Sequence, residues 1–124
     1  MSRRRAGGRI IFVKKDGLPR FIGSPFFTMD FLKDGEKVED LMIGGLKIIQ
    51  SDKLYRFSSD SILLSKFAEY KKGDVVADFC AGSGIVGLHF YALNPSAERI
   101  DLYELQKPLC DMAERSVALN SLQS

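Results

Sequence analysis

At 124 residues the chain is one domain at most, 45% hydrophobic and 27% charged, as is ordinary for a globular protein. Its formal net charge is only +2, and no apolar run nears the ~18 residues a membrane span needs. The two cysteines, Cys80 and Cys110, lie far apart with no CxxC and a single histidine, which points to neither a zinc site nor a disulfide framework and fits a reducing cytoplasm.

The charge is unevenly spread. Residues 1–20 hold seven Lys or Arg against Asp16, so a basic arm precedes a mildly acidic body. Such an arm can attract nucleic acid; the plain alternative is a solvated chain end. The apolar stretch Ile10-Ile11-Phe12-Val13 is too short for the ~7–15-residue core of a secretory signal. Residues 9–13 and 18–22 flank Lys14-Lys15-Asp16-Gly17, which predicts a hairpin turning at Asp16-Gly17. Ser24-Pro25 breaks the pattern, and the composition changes at Met29. Met29 is therefore a candidate alternative start, dividing the chain into a basic N-terminal extension (1–28) and a main segment (29–124). A second hairpin is expected from Leu41-Met42-Ile43 and residues 46–50 around Gly44-Gly45.

Ser58-Ser59-Asp60-Ser61 is rich in N-cap residues, and a helix is expected over 61–70. Ile62, Leu63, Phe67 and Ala68 share its apolar face, and Lys66 and Glu69 the other. Lys71-Lys72-Gly73 supplies the stop, with cations at the negative end of the helix and a glycine just past it. Val75-Val76-Ala77 reads as a strand that ends in Asp78. It turns through Phe79-Cys80-Ala81-Gly82-Ser83-Gly84 into a helix over 85–93, stopped by Asn94-Pro95. A strand follows over 99–103, ending at Glu104, and then a helix over 108–119 with Pro108 in its first turn. His89, Phe90 and Tyr91 read as packing residues of the first of these two helices.

The order β-α-β-α with short links implies a parallel pair joined by a right-handed crossover. The expected class is α/β: a Rossmann-like doubly wound sheet, incomplete, with its first two β-α units preceded by short hairpins and a helix. Two parallel strands cannot bury both faces of such a sheet and leave a long unpaired edge. Residues 120–124 stand where a third strand is expected, so the chain reads as the N-terminal part of a larger protein.

The turn carries the chemistry. Gly82, Gly84 and Gly87 match GxGxxG, in which Gly82 permits a tight turn, Gly84 lets the backbone approach a ligand and Gly87 lets the helix sit close to the sheet. Cys80 reads as a small buried residue of the turn, since no histidine is placed to activate it. Glu104, twenty residues past Gly84, can accept both hydrogens of a ribose diol; the alternative is a solvated surface acid. Asp78 decides between cofactors. The pyrophosphate of NAD would meet an unfavourable negative charge there, whereas S-adenosylmethionine offers a sulfonium and an ammonium that a carboxylate favours. The structural alternative for Asp78 is a cap on the backbone N–H groups of the turn.

Residues 78–84, Asp-Phe-Cys-Ala-Gly-Ser-Gly, resemble motif I of class I S-adenosylmethionine-dependent methyltransferases, and Glu104 resembles the acid of motif II. Residues 45–50 and 55–64 are similar to the lead-in of the bacterial small-domain adenine methyltransferases, a family that includes an enzyme acting on the exocyclic amine of adenine in tRNA. The resemblance runs from near Met29 to the C-terminus. It implies S-adenosyl-L-methionine as cofactor, RNA as partner and no membrane. It implies cofactor contacts from Asp78, Cys80, Gly82, Gly84 and Glu104, with Phe57 and Asp60 near the methionine end. For these last two the alternatives are a core aromatic and a helix cap. The family's Asn-Pro-Pro-aromatic motif, which grips the target amine and stacks on the flipped base, has no counterpart in the sequence. The chain alone is therefore expected to hold part of a cofactor site without catalysing and to carry no catalytic residue. Two rivals stand beside this reading: a non-catalytic Rossmann-like fragment and a fragment of an NAD-binding oxidoreductase.

Overall fold

The computed structural model describes residues 9–13 (backbone), 31–54 and 57–122. In chain order these form β1 (Arg9–Val13), β2 (Glu36–Asp40), β3 (Lys47–Ser51), α1 (Ser59–Phe67), β4 (Val75–Phe79), α2 (Ile85–Leu93), β5 (Arg99–Glu104) and α3 (Lys107–Leu119). The fold is mixed α/β: a hairpin, then alternating β-α-β-α with a parallel strand pair.

Strands β4 and β5 pair in parallel, with Asp78 opposite Leu102 and Phe79 opposite Tyr103. One of the two edges of this pair, that of β5, is occupied. β1 pairs with it antiparallel, Arg9 opposite Glu104 and Val13 opposite Ile100, so the sheet order is β1-β5-β4. The hairpin expected between residues 9–13 and 18–22 has only its first strand within the described residues. The sheet partner of β1 is β5, and residues 18–22 lie outside the described residues. A short apolar strand is drawn to the best available edge, and an open parallel edge with free N–H and C=O groups is one.

α2 and α3 both pack against the sheet. Between them and the strands lie Leu88, Ile100, Leu102, Ala113 and Val117, all buried. α2 starts where the sequence places it and stops at Asn94, whose side chain donates to Phe90 O at 3.1 Å. α3 likewise begins with Pro108 in its first turn.

The hairpin of β2 and β3 docks on α3. Ile49 N–H donates to Ser116 Oγ (2.9 Å), and Asn120 exchanges hydrogen bonds with the backbone of Lys47. Arg115 grips Glu36, donates to Phe31 O and reaches Asp111. This partly buried cation holds the pKa of Glu36 below the usual carboxylate range by its side-chain hydrogen bonds, and the pKa of Asp111 is lowered chiefly by its hydrogen bond from Lys33, with Arg115 adding to it. Here the strand expected at Leu41-Met42-Ile43 is corrected. The first strand is Glu36–Asp40, paired Asp40 to Lys47, and residues 41–46 form the connection. Asp40 Oδ1 accepts the Met42 N–H at 2.7 Å and bends the chain at that point.

α1 also departs from expectation. It spans Ser59–Phe67, ending before Lys71-Lys72-Gly73, and Ala68 is already extended. Its inward residues are Ile62 and Ser65; Leu63 and Phe67 are 62% and 84% exposed. Periodicity groups residues on a face but does not say what lies against it. Ser65 turns inward because its hydroxyl meets His89 Nδ1 on α2 at 2.6 Å while donating to Ile62 O. His89, Phe90 and Tyr91 are buried packing residues of α2.

Candidate functional site

The turn after β4 is held by two carboxylates from the ends of adjacent parallel strands. Asp78, the fourth residue of β4, points to the helix side of the sheet, and its Oδ2 accepts the Gly87 N–H at 3.1 Å. That N–H belongs to the first turn of α2, where no intrahelical acceptor exists, so Asp78 caps the helix from the strand beneath it. Glu104, the last residue of β5, accepts the Gly82 N–H on Oε2 and the Gln106 N–H on Oε1, both at 2.7 Å. It thereby ties the turn to the start of α3. Glu104 is only 7% exposed, which sets aside the surface-acid alternative.

The backbone continues the sheet into the turn. Ala81 N–H donates to Tyr103 O at 2.9 Å, and Gly84 N–H closes on Ala81 O at 2.9 Å. Gly84 sits at φ 90° as the N-cap of α2. A Cβ there would lie 3.3 Å from Leu102 Cδ1 and 3.4 Å from Ala113 Cβ. Its missing side chain thus faces the core, and the turn's open side is at Gly82, where a Cβ would meet nothing within 4 Å. Gly87 has the predicted role: a Cβ on it would come within 2.2 Å of Leu102 Cδ2.

Burial pushes Asp78 up from its ordinary 3.8 to about 6; the Gly87 N–H opposes this and the charge of Glu104 adds to it. A buried carboxylate facing another carboxylate lowers its energy by taking a proton or by meeting a cation.

Cys80 corrects an expectation. It is exposed, not buried, and adopts φ 58°. The strand alternation sends Phe79 and the chain after it to the uncovered side, where Phe79 is 73% exposed and its ring meets Tyr103 at 5.2 Å between centroids. Cys110 is buried on α3. Phe57 packs partly against the main core, and its N–H donates to Gln50 Oε1 at 3.3 Å. Asp60 is exposed in the first turn of α1, near the positive helix end. Among the described residues no hydrogen bond links Asp60 to the glycine turn. The structure thus brings Asp78, Gly82, Gly84 and Glu104 into one bonded unit, attaches Phe57 to it through Gln50, and leaves Cys80 at its rim.

Sequence reasoning missed three participants. Leu105, 73% exposed directly after Glu104, presents an apolar surface beside the carboxylate. Gln106 contributes a backbone N–H, which no side-chain pattern reveals. Gln50 is buried behind the turn; its signal was a polar residue directly after the apolar pair Ile48-Ile49 of its strand.

Among the described residues no group of three or more His, Cys, Asp or Glu could hold a metal ion, and no helix is long and apolar enough to cross a membrane. Compared with known proteins, the chain matches no family model and no curated relative.

Proposed function

We propose that this chain is the S-adenosylmethionine-binding part of a Rossmann-like methyltransferase that modifies the exocyclic amine of adenine in tRNA. The observation that carries the cofactor reading is the pair of carboxylates at the ends of parallel strands, bonded to opposite ends of one glycine turn. A pyrophosphate at this turn would add negative charge to a pair that already repels, whereas a sulfonium or ammonium would relieve it. The residues present fit such a group, since the turn is open at Gly82, whose N–H Glu104 accepts, and Asp78 accepts the Gly87 N–H just beyond it.

When bound, S-adenosylmethionine supplies a methyl group activated on a sulfonium. The chain's part is to hold that group. Asp78 offers charge toward its cationic end. Glu104, with lone pairs left beyond its two backbone bonds, accepts hydroxyl hydrogens, and Leu105 offers a flat apolar contact beside it. Adenine as target and tRNA as partner rest on the resemblance of residues 45–50 and 55–64, and the basic residues near the N-terminus add phosphate contacts in that reading. Phe57 and Asp60 then line the methionine end. Holding the amine in line with the methyl group requires further groups that the sequence does not provide.

Titration calorimetry with S-adenosylhomocysteine and NADH tests the assignment. Heat from S-adenosylhomocysteine alone is expected, and binding of NADH alone would overturn it. Glu104→Ala should weaken S-adenosylhomocysteine binding by about tenfold, as for loss of a charge-assisted hydrogen bond. A second reading, a non-catalytic fragment, is favoured by the burial of Glu104 with both oxygens already engaged. It predicts heat from neither ligand.

A further inference from the structure

Gln50 is 2% exposed, and every polar atom of its amide is used. Its Nε2 donates to Ile49 O and to Ser83 Oγ, both at 3.0 Å, and its Oε1 accepts the Phe57 N–H. The three partners come from three places: its own strand β3, the glycine turn, and the segment leading into α1. The orientation of the amide is unique, because a flip would set its NH2 against the Phe57 N–H and its oxygen against Ile49 O. Ser83, between Gly82 and Gly84, is itself buried, so this bond reaches the turn from behind, away from its open side.

We infer that Gln50 is a positioning residue that fixes the spacing between the glycine turn and the Phe57 segment, the two walls of the ligand site. The inference rests on the ligand reading given above. A single planar amide sets both distances at once, so a shift of the turn on ligand entry is carried to the Phe57 backbone, and disorder at Phe57 loosens the turn. Among the described residues, the hydrogen bonds of Asp78 and Glu104 stay within the segment from β4 to α3 and reach neither β3 nor Phe57.

The test uses the whole chain, S-adenosylhomocysteine as probe, and a control on α3 that bonds the same strand. Gln50→Met keeps the length and apolar stem of the side chain and removes all three bonds. Ser116→Ala removes the buried bond to the neighbouring Ile49 N–H and touches neither wall. Under conditions where all variants are folded, Gln50→Met should bind the probe about tenfold more weakly, while Ser116→Ala binds as the unaltered chain does. Unchanged affinity in Gln50→Met, or an equal loss in both variants, would overturn the inference, because general weakening of β3 would then explain it. Should Gln50→Met not fold, Ser83→Ala, which removes one bond of the three, carries the same comparison. If the unaltered chain takes up no probe, the ligand reading fails, and amide hydrogen exchange decides the role of Gln50 separately. Ser83→Ala should then speed exchange of the Phe57 N–H several-fold. No change in that rate would refute the coupling.

Discussion

Replacing Asp78 by Asn should make the protein more stable and its site worse. Asn is nearly the same shape, and its Oδ1 can still accept the Gly87 N–H that Asp78 Oδ2 accepts at 3.1 Å. What it removes is a buried charge beside Glu104. Burial lifts Asp78 from 3.8 to about 6. Between those values the folded chain keeps a proton that the unfolded chain has lost, so stability falls as pH rises through this window and stays reduced above it. A rise of roughly two units corresponds to about 3 kcal/mol at most, and about 1–2 kcal/mol after the partial solvent access of the site is allowed for. Urea denaturation of both proteins at pH 4 and pH 8 reads this directly. Asp78→Asn should gain about 1–2 kcal/mol at pH 8 and little at pH 4. The difference between the two proteins is the informative quantity, because His89 works the other way. Burial lowers its pKa from 6.5, so the folded ring stays neutral and stability is lost as pH falls below that value. If Asp78→Asn destabilises at pH 8, or if its effect is the same at both pH values, the charge argument is wrong. A gain in stability accompanied by weaker S-adenosylhomocysteine binding would mark Asp78 as kept for function at a cost to the fold.

Other substitutions probe the frame around the site. Gly87→Ala should lower the urea midpoint by an amount equivalent to about 1–3 kcal/mol, since its methyl collides with Leu102 in front of Ile100. A neutral result would mean that α2 can lift off the sheet freely. Ser65→Ala leaves buried His89 without its partner across the helix pair; a loss of about 1–2 kcal/mol is expected, together with faster amide exchange in α1. Arg115→Met strips Glu36 of its main partner and removes one of the hairpin's ties to α3. A loss of about 3 kcal/mol, as for breaking a buried pair, should appear in denaturation, and loss confined to exchange in β2 and β3 would show that the hairpin unfolds by itself.

The elements from β4 to α3 were legible because their signals are local. Pro108 suits only a first helical turn, Asn94-Pro95 stops a helix, and an apolar run ending at a glycine turn starts one. Signals of this kind carry no information about neighbours, and the departures all concern neighbours. Residues 9–13 read correctly as a strand, but nothing in them names β5 as partner. Leu63 and Phe67 read correctly as sharing a face, but the face that packs on α2 is the one bearing Ser65, because His89 stands opposite. Leu41–Ile43 looked like a strand by composition, and one side-chain bond from Asp40 to the Met42 N–H made it a turn.

The same division runs through the site. The glycine pattern located the turn, and the spacing located Glu104, but a pattern of glycines does not say which one faces out. Gly84 lies against Leu102 and Ala113, both contributed by elements later in the chain, so its side was decided by packing. The exposure of Cys80 follows from the same alternation, which turns Phe79 away from α2 and carries the next residue to the rim. Gln50 is the strongest case. Its three partners are spread from Ile49 to Ser83, and only the fold brings them to one amide. A polar residue directly after the apolar pair of its strand was the visible trace. When buried, such a residue must find partners or cost stability, and here it finds them on its own strand, in the glycine turn and before α1.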